Sequence, residues 1–298
     1  MSTAPVLLFT YNRPSHTRQT LEALMNNELC DETELFIFSD GYKDNSDKKE
    51  VLKVRKLIHS IGGFKKIHIK ENQHNIGLAR NIIDGVTGII NEYGRVIVLE
   101  DDLITAPHFL TFMNEALDKF EDEEKIGHIQ GFCFPIKGLP ESFLIKWTGS
   151  WGWATWKRAW EKFNPNGQEL LNELKRRKLS RQFDFNGKYP FTRMLKRQVN
   201  GENDSWAIRW NATLFLSDML SLNAGRSLVQ NIGFDGSGIH SGSDEIYSTE
   251  LYKGELNIDI TEIVENKTAR KAFMKYYGLT NSFRAKAKRR INRFLRSR

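Results

Sequence analysis

Over the first 120 residues, apolar and polar positions alternate in blocks. Four short runs of β-forming residues stand out: APVLLFTY (4–11), ELFIFSD (34–40), KKIHIKE (65–71) and RVIVLE (95–100). Runs of this length and composition, closed by turn-forming residues, predict strands. The intervening stretches carry apolar residues at helical spacing. They predict helices from about His16 to Met25, over a charged stretch to about Ile61, from about Gly77 to Glu92, and from Pro107 to Phe120. Strand–helix alternation implies βαβ units and a mostly parallel central sheet flanked by helices, an α/β fold. Ligands bind such sheets at the carboxyl ends of the strands. TYNRP, SDG and EDD all fall at predicted strand ends.

The second half is less regular. It is rich in aromatic residues and predicted helices, with one later strand near SLVQNIGF and a Gly/Ser-rich stretch, Gly236–Glu245, that reads as a loop. No internal repeat is seen. The expected organisation is one catalytic domain over 1–278, with halves 1–125 and 126–278, followed by a tail over 279–298.

Composition changes the picture in two places. The last fifteen residues hold eight Lys/Arg and no acid; without them the formal charge of +7 becomes −1 for residues 1–283. The high pI therefore belongs to the tail, which disfavours a nucleic-acid enzyme. In that tail Phe283, Ala287, Ile291, Phe294 and Leu295 recur at helical spacing among the cations, the pattern of a basic amphipathic helix lying on an anionic membrane. A disordered basic tail is the alternative. Cys30 and Cys133 are the only cysteines. They exclude a disulfide framework and fit a reducing cytoplasm. The N-terminus turns polar too early for a signal peptide, and no run approaches the ~18 apolar residues of a membrane span.

TYNRPSHT after the first strand is neither a glycine-rich dinucleotide fingerprint nor a GxxxxGK[ST] phosphate loop, and no GxSxG elbow occurs. Glu100, Asp101 and Asp102 therefore draw attention. Adjacent carboxylates raise one another's pKa unless a cation sits among them. They could complement the N-terminus of the next helix. At the end of a buried strand, two of them can instead converge on a hard cation such as Mg2+ or Mn2+.

TYNRP, SDG, NIGLARN and EDD, in this order and over roughly residues 4–245, resemble a GT-A glycosyltransferase. The likeness is to bacterial family-2-type enzymes, and the EDD form is similar to that of the N-acetylglucosaminyltransferase I family. The resemblance implies a Rossmann-like fold with a more helical acceptor half. It implies that Thr10, Tyr11, Asn12 and Arg13 line the nucleotide pocket, that Asp40 contacts the base, and that Glu100 and Asp101 hold the donor. Asp102 is then the expected metal ligand, with Mn2+ or Mg2+ as cofactor, and a late histidine, His240, as a metal or phosphate ligand.

Other candidates come from the residues themselves. In NIGLARN, Asn75 and Gly77 lead into a helix whose first turn carries Arg80, placed to neutralise a phosphate or the carboxylates; a structural Arg–Asp pair is the alternative. Trp153, Trp156 and Trp160 have the spacing of one helix face, hence core. Trp151 and Gly152, before that helix, and Trp206 are candidates for the acceptor or sugar platform. Inverting transfer needs a carboxylate base separate from metal-bound acids. Asp204 is the candidate, with Glu202 as substitute and an N-cap as the alternative role of Asp204.

These readings predict a metal-dependent, inverting transferase. It would move a sugar from a nucleotide diphosphate sugar, UDP expected, to a hydroxyl of a glycan or lipid-linked glycan in bacterial surface polysaccharide synthesis. The expected location is the cytoplasmic face of the membrane, with no nucleic-acid partner. The competing readings are a sugar nucleotidyltransferase and a non-catalytic membrane-docked carbohydrate-binding protein.

Overall fold

The computed structural model describes residues 3–234 and 249–282. Four strands form in the first hundred residues: β1 (Val6–Thr10), β2 (Glu34–Ser39), β3 (Lys66–Glu71) and β4 (Arg95–Glu100). They pair parallel in the order β3-β2-β1-β4. The crossovers between them are α1 (Pro14–Met25), α2 (Asn45–Ile58) and α3 (Leu78–Tyr93). Pro14 starts α1 where its missing N–H costs nothing, and Asp44 closes a capping box on α2.

The sheet does not stop at β4. After β5 (Leu103–Thr105) and α4 (Phe109–Lys119) come β6 (Ile126–Gln130), β7 (Ser142–Ile145) and β8 (Trp153–Trp156). Five helices follow: α5 (Lys157–Trp160), α6 (Gly167–Arg176), α7 (Ser180–Phe183), α8 (Phe191–Val199) and α9 (Trp206–Leu216). The described chain then adds β9 (Leu220–Ala224), β10 (Val229–Asn231) and α10 (Lys267–Thr280). The eight-stranded sheet reads β3-β2-β1-β4-β8-β6-β9-β7. Its first half is parallel. In the second half β8 runs antiparallel to β4 and β6, β9 is parallel to β6, and β7 is antiparallel to β9. The sheet is thus continuous across residues 125 and 126.

Period-two alternation loads both faces of the sheet. Val6, Leu8, Ile97 and Leu99 meet α1, α2 and α4 on one side. Leu7, Phe9, Val96 and Val98 meet α3 and α9 on the other. α3 lies so close that a Cβ on Gly85 would come within 2.9 Å of the Phe9 ring.

The helix expected from the tryptophan spacing is corrected here. Trp153 and Trp156 lie on β8, three residues apart in a strand and hence on opposite faces. Trp160 ends the four-residue α5. All three are buried, as expected, but the spacing comes from a strand running into a short helix. Cys30 and Cys133 are both buried, and neither forms a disulfide.

Candidate functional site

The chain leaves β1 through Tyr11, Asn12 and Arg13, and leaves β4 through Asp101 and Asp102. Parallel pairing of β1 with β4 puts these exits side by side, with Phe9 opposite Glu100. One Arg13 nitrogen, Nη2, donates to Asp101 Oδ1 (2.8 Å) and to Asp102 Oδ2 (2.7 Å). The Tyr11 N–H donates to Asp101 Oδ2 (3.2 Å). The turn is held from behind: Thr20 of α1 donates to the Asp101 carbonyl (3.0 Å), and the Ile232 N–H donates to that of Asp102 (2.9 Å). The second contact exists because β10 pairs antiparallel with β5. That pairing lays Gly233 on Asp102, where a Cβ would stand 2.1 Å from Oδ2.

The electrostatics follow from burial and crowding. Burial, then Asp102 and Asp101, push Glu100 up to about 8, with Arg13 opposing. Burial pushes Asp101 up to about 6, opposed mainly by Arg13. Arg13 itself is held above its ordinary value, because the two carboxylates outweigh the burial that would lower it. The cluster has more carboxylates than cations.

Asp40, only 3 % exposed, is committed to the neighbouring loop. Its Oδ1 accepts from the Gly41 N–H (2.9 Å), Asn72 Nδ2 (3.1 Å) and the Ile76 N–H (3.0 Å), and its Oδ2 accepts from the Gly77 N–H (3.0 Å). Only Oδ2 keeps acceptor capacity for a ligand. Asn75 donates to the Gly41 carbonyl (3.0 Å). A Cβ on Gly41 would meet the His74 backbone at 2.4 Å, so SDG and NIGL form one lock. Gly77, at φ 82°, caps α3. Thr10 is buried, with its hydroxyl reaching the Phe38 carbonyl at 3.5 Å. The Tyr11 hydroxyl bonds Asp47, and Asn12 is half-buried.

Arg80 is corrected. It pairs with Asp84 (3.4 Å) one helical turn on, and its side chain is 72 % exposed. The face of α3 turned to the sheet carries Ala79, Asn81 and Ile82, so Arg80 points to solvent, the structural-pair alternative. The cation on the acids is Arg13. Sequence reading placed Arg13 in the pocket but missed this pairing, and it missed Asn72, Asn81 and Gly233. Asn72 Nδ2 bridges Asp40 and Asn81 Oδ1 (2.9 Å).

Val98 pairs with Trp153, so Trp151 lies beside the acidic end of β4. Its ring meets Phe234 edge-on (5.5 Å), and Phe234 follows Gly233. Its carbonyl accepts from Gln130 Nε2 (2.8 Å). Gly152, at φ 64°, faces Val229, whose Cγ2 would be 2.5 Å from an added Cβ. Trp206 is corrected: it is 4 % exposed and stacked on Trp153 (5.1 Å), part of the core rather than a sugar platform.

Asp204 precedes α9, but the N-cap is Ser205, whose hydroxyl accepts from the Ile208 N–H (3.3 Å). The Asp204 side chain is 75 % exposed and paired with Arg209 (3.0 Å). Glu202 is held below the usual carboxylate range by Asn200 and Arg197. His240, the 236–245 loop and the tail from Phe283 lie outside the described residues.

Among the described residues no group of three or more His, Cys, Asp and Glu stands ready for a metal. The donor chemistry of Asp101 and Asp102 nonetheless fits a hard divalent ion, whose remaining positions water and phosphate oxygens commonly fill. Both carboxylates already converge on one cationic nitrogen.

A mixed α/β sheet with an acidic cluster, an arginine and a locked loop at its carboxyl edge is a Rossmann-like arrangement, in which ligands bind at the strand ends. Residues 6–201 match glycosyl transferase family 2, and the chain belongs to that family. The mixed α/β sheet agrees with the GT-A architecture expected from the sequence. A search of curated proteins returned no match. Among solved structures the chain is similar to a mannosyltransferase from Pyrobaculum calidifontis in complex with GDP-Man and Mn2+ (13 % identity, 58 % of this chain and 46 % of that one, TM-score 0.34). It is similar also to S. aureus TarS 1–349 (16 %, 51 % and 47 %, 0.36). A third is a cytidylyltransferase from Leptospira borgpetersenii (11 %, 55 % and 64 %, 0.34). The chain spans about half the length of the first two.

Proposed function

We propose that this glycosyltransferase takes its sugar from a UDP-sugar with a divalent cation, Mn2+ or Mg2+, and inverts the anomeric centre. The observation that carries the reading is the meeting of Tyr11, Arg13, Asp101 and Asp102 at the carboxyl edge of β1 and β4. Asp101 and Asp102 would hold the cation, whose charge offsets that of the diphosphate; the EDD triplet is read in the manner of the N-acetylglucosaminyltransferase I family. Thr10, Tyr11, Asn12 and the Asp40-locked loop enclose the nucleotide, and Trp151 with Gly152 borders the sugar.

In this reading Asp204 accepts the proton of the acceptor hydroxyl. The acceptor oxygen attacks the anomeric carbon, and the bond to the diphosphate breaks with its electron pair leaving on UDP. A base must be free of the cation and accessible to acceptor; the exposure of Asp204 and the capping by Ser205 support it. The acceptor is a glycan or lipid-linked glycan of surface polysaccharide synthesis. The basic tail holds the protein at the cytoplasmic face of the membrane.

Isothermal titration with UDP, with and without Mn2+, tests the donor reading; binding that ignores Mn2+ refutes it. Asp204→Asn should keep UDP binding and lose at least about a hundredfold in turnover. Near-normal turnover by that variant would remove Asp204 as the base.

A further inference from the structure

The near-neutral charge of residues 1–283 hides a strong asymmetry. Between Leu174 and Gln198 the chain holds nine Lys/Arg and one acid, Asp184, and all nine cations are exposed. Two are neutralised by ion pairs, Arg176 with Glu173 and Arg197 with Glu202. Lys175, Lys178, Arg181, Lys188 and Lys196 make no ion pair among the described residues.

These residues sit in one layer. α6 buries Leu170, Leu171 and Leu174, and α8 buries Phe191 and Leu195; the two helices pack on each other and on α9, with their cations turned outward. A Cβ on Gly167, at the start of α6, would meet Gln198 and Val199 at the end of α8, so the helices run antiparallel. The last turns of α6 thus lie at the same end as α7 and the start of α8. Helix dipoles account for Lys175 and Arg176 at a C-terminus. They do not account for Lys188 in a turn, or for Arg193 in the first turn of α8, where a cation is disfavoured.

α10 joins this layer. Its Tyr277 packs on Phe185 and Tyr189, its Arg270 donates to the Gln182 carbonyl (2.8 Å), and Gly278 lies against the Lys188 side chain. The next residue, Leu279, is 63 % exposed. The described chain ends three residues later, and the sequence that follows carries eight more Lys/Arg with no acid.

We infer that the α6–α8 layer, with the C-terminal turn of α10, is a docking face for a bilayer rich in anionic phospholipid. Cations around an exposed leucine suit the boundary between headgroups and acyl chains better than a phosphodiester backbone. No described helix is long and apolar enough to cross a membrane. α8 runs directly into Asn200–Asp204, so the face would bring the acceptor half towards lipid-borne acceptors. The inference rests on the proposed membrane location and adds a folded surface to it.

The test is flotation with phosphatidylcholine vesicles, with and without 30 % phosphatidylglycerol, using the full chain. Full-chain Lys178→Gln/Arg181→Gln/Lys188→Gln/Lys196→Gln should bind the anionic vesicles at least about tenfold more weakly, given several-fold per cation. The charge-conserving set Lys178→Arg/Arg181→Lys/Lys188→Arg/Lys196→Arg should bind as the parent does, which separates charge from folding. A full chain whose eight tail cations are changed to Gln should retain measurable binding. If the body variant binds like the parent, or if tail neutralisation alone abolishes binding, the docking face is refuted, and in the second case the tail reading stands. Tighter binding to a single-stranded RNA oligonucleotide than to anionic vesicles would refute the lipid partner. UDP binding, measured alongside, reports on the donor reading independently of either result.

Discussion

At the scale of residues, Arg13 stands between the scaffold and the chemistry. It is the protein's own cation on Asp101 and Asp102. Removing one partner from a largely buried cluster leaves uncompensated charge. Arg13→Met should therefore cost about 3 kcal/mol in urea denaturation at low salt. Mn2+ should raise the melting temperature of this variant more than that of the parent; equal shifts would show that the carboxylates do not accept the ion in place of arginine. A second residue argues through pH. Trp210 donates to His128 Nδ1 (3.1 Å), so the proton lies on Nε2, which faces Gln130 Oε1 (3.2 Å). Gln130 in turn holds the Trp151 carbonyl. Burial pushes His128 down to about 4, below the ~6.5 of an unfolded histidine. Between these values the unfolded chain binds more protons. The stability tied to neutral His128 is thus complete above about pH 6.5 and is lost as pH falls towards 4. Glu100, raised to about 8, acts with the opposite sign, favouring the native state as pH falls through its range. Comparison with His128→Gln isolates the histidine. From pH 7 to 5 the parent should lose about 2 kcal/mol more than the variant, and identical losses would refute the assignment.

At the scale of elements, two glycines separate backbone strain from steric fit. Gly77 caps α3 at φ 82° with open space around an added Cβ. Gly77→Ala should cost about 1 kcal/mol from conformation alone. Gly152 combines φ 64° with Val229 at 2.5 Å from an added Cβ, and Gly152→Ala should cost about 3 kcal/mol or more. Thermal melts of the two variants that came out equal would overturn this ordering. The same elements show how far local pattern carries. β1 to β4 were legible because apolar runs ended in turn residues. β8 was not, since WATWKRAW has helical spacing and its strand character comes from pairing with β4, a partner more than fifty residues earlier. β6, β7 and β9 escaped reading for the same reason.

At the scale of the whole molecule, the sheet ties the two halves together. β4, the strand that carries the acids, is paired on its far side by β8, and its outer face is covered by Trp153, Trp160, Trp206 and Trp210. A chain ending at residue 125 lacks all of these. It should show no cooperative unfolding transition by circular dichroism, and a sharp transition would mean that the first half is an autonomous unit. The sequence by itself determined the α/β class and the strand ends at which TYNRP, SDG and EDD gather. Both follow from local periodicity and turn chemistry. Tertiary structure decided that Arg13 and not Arg80 meets the acids, that Asp40 is committed to its loop, that Trp206 is core, and that the cations of α6–α8 share one layer with the end of α10. Those outcomes depend on which distant segments pack together, and burial and pairing over long sequence separations leave no periodic trace along the chain.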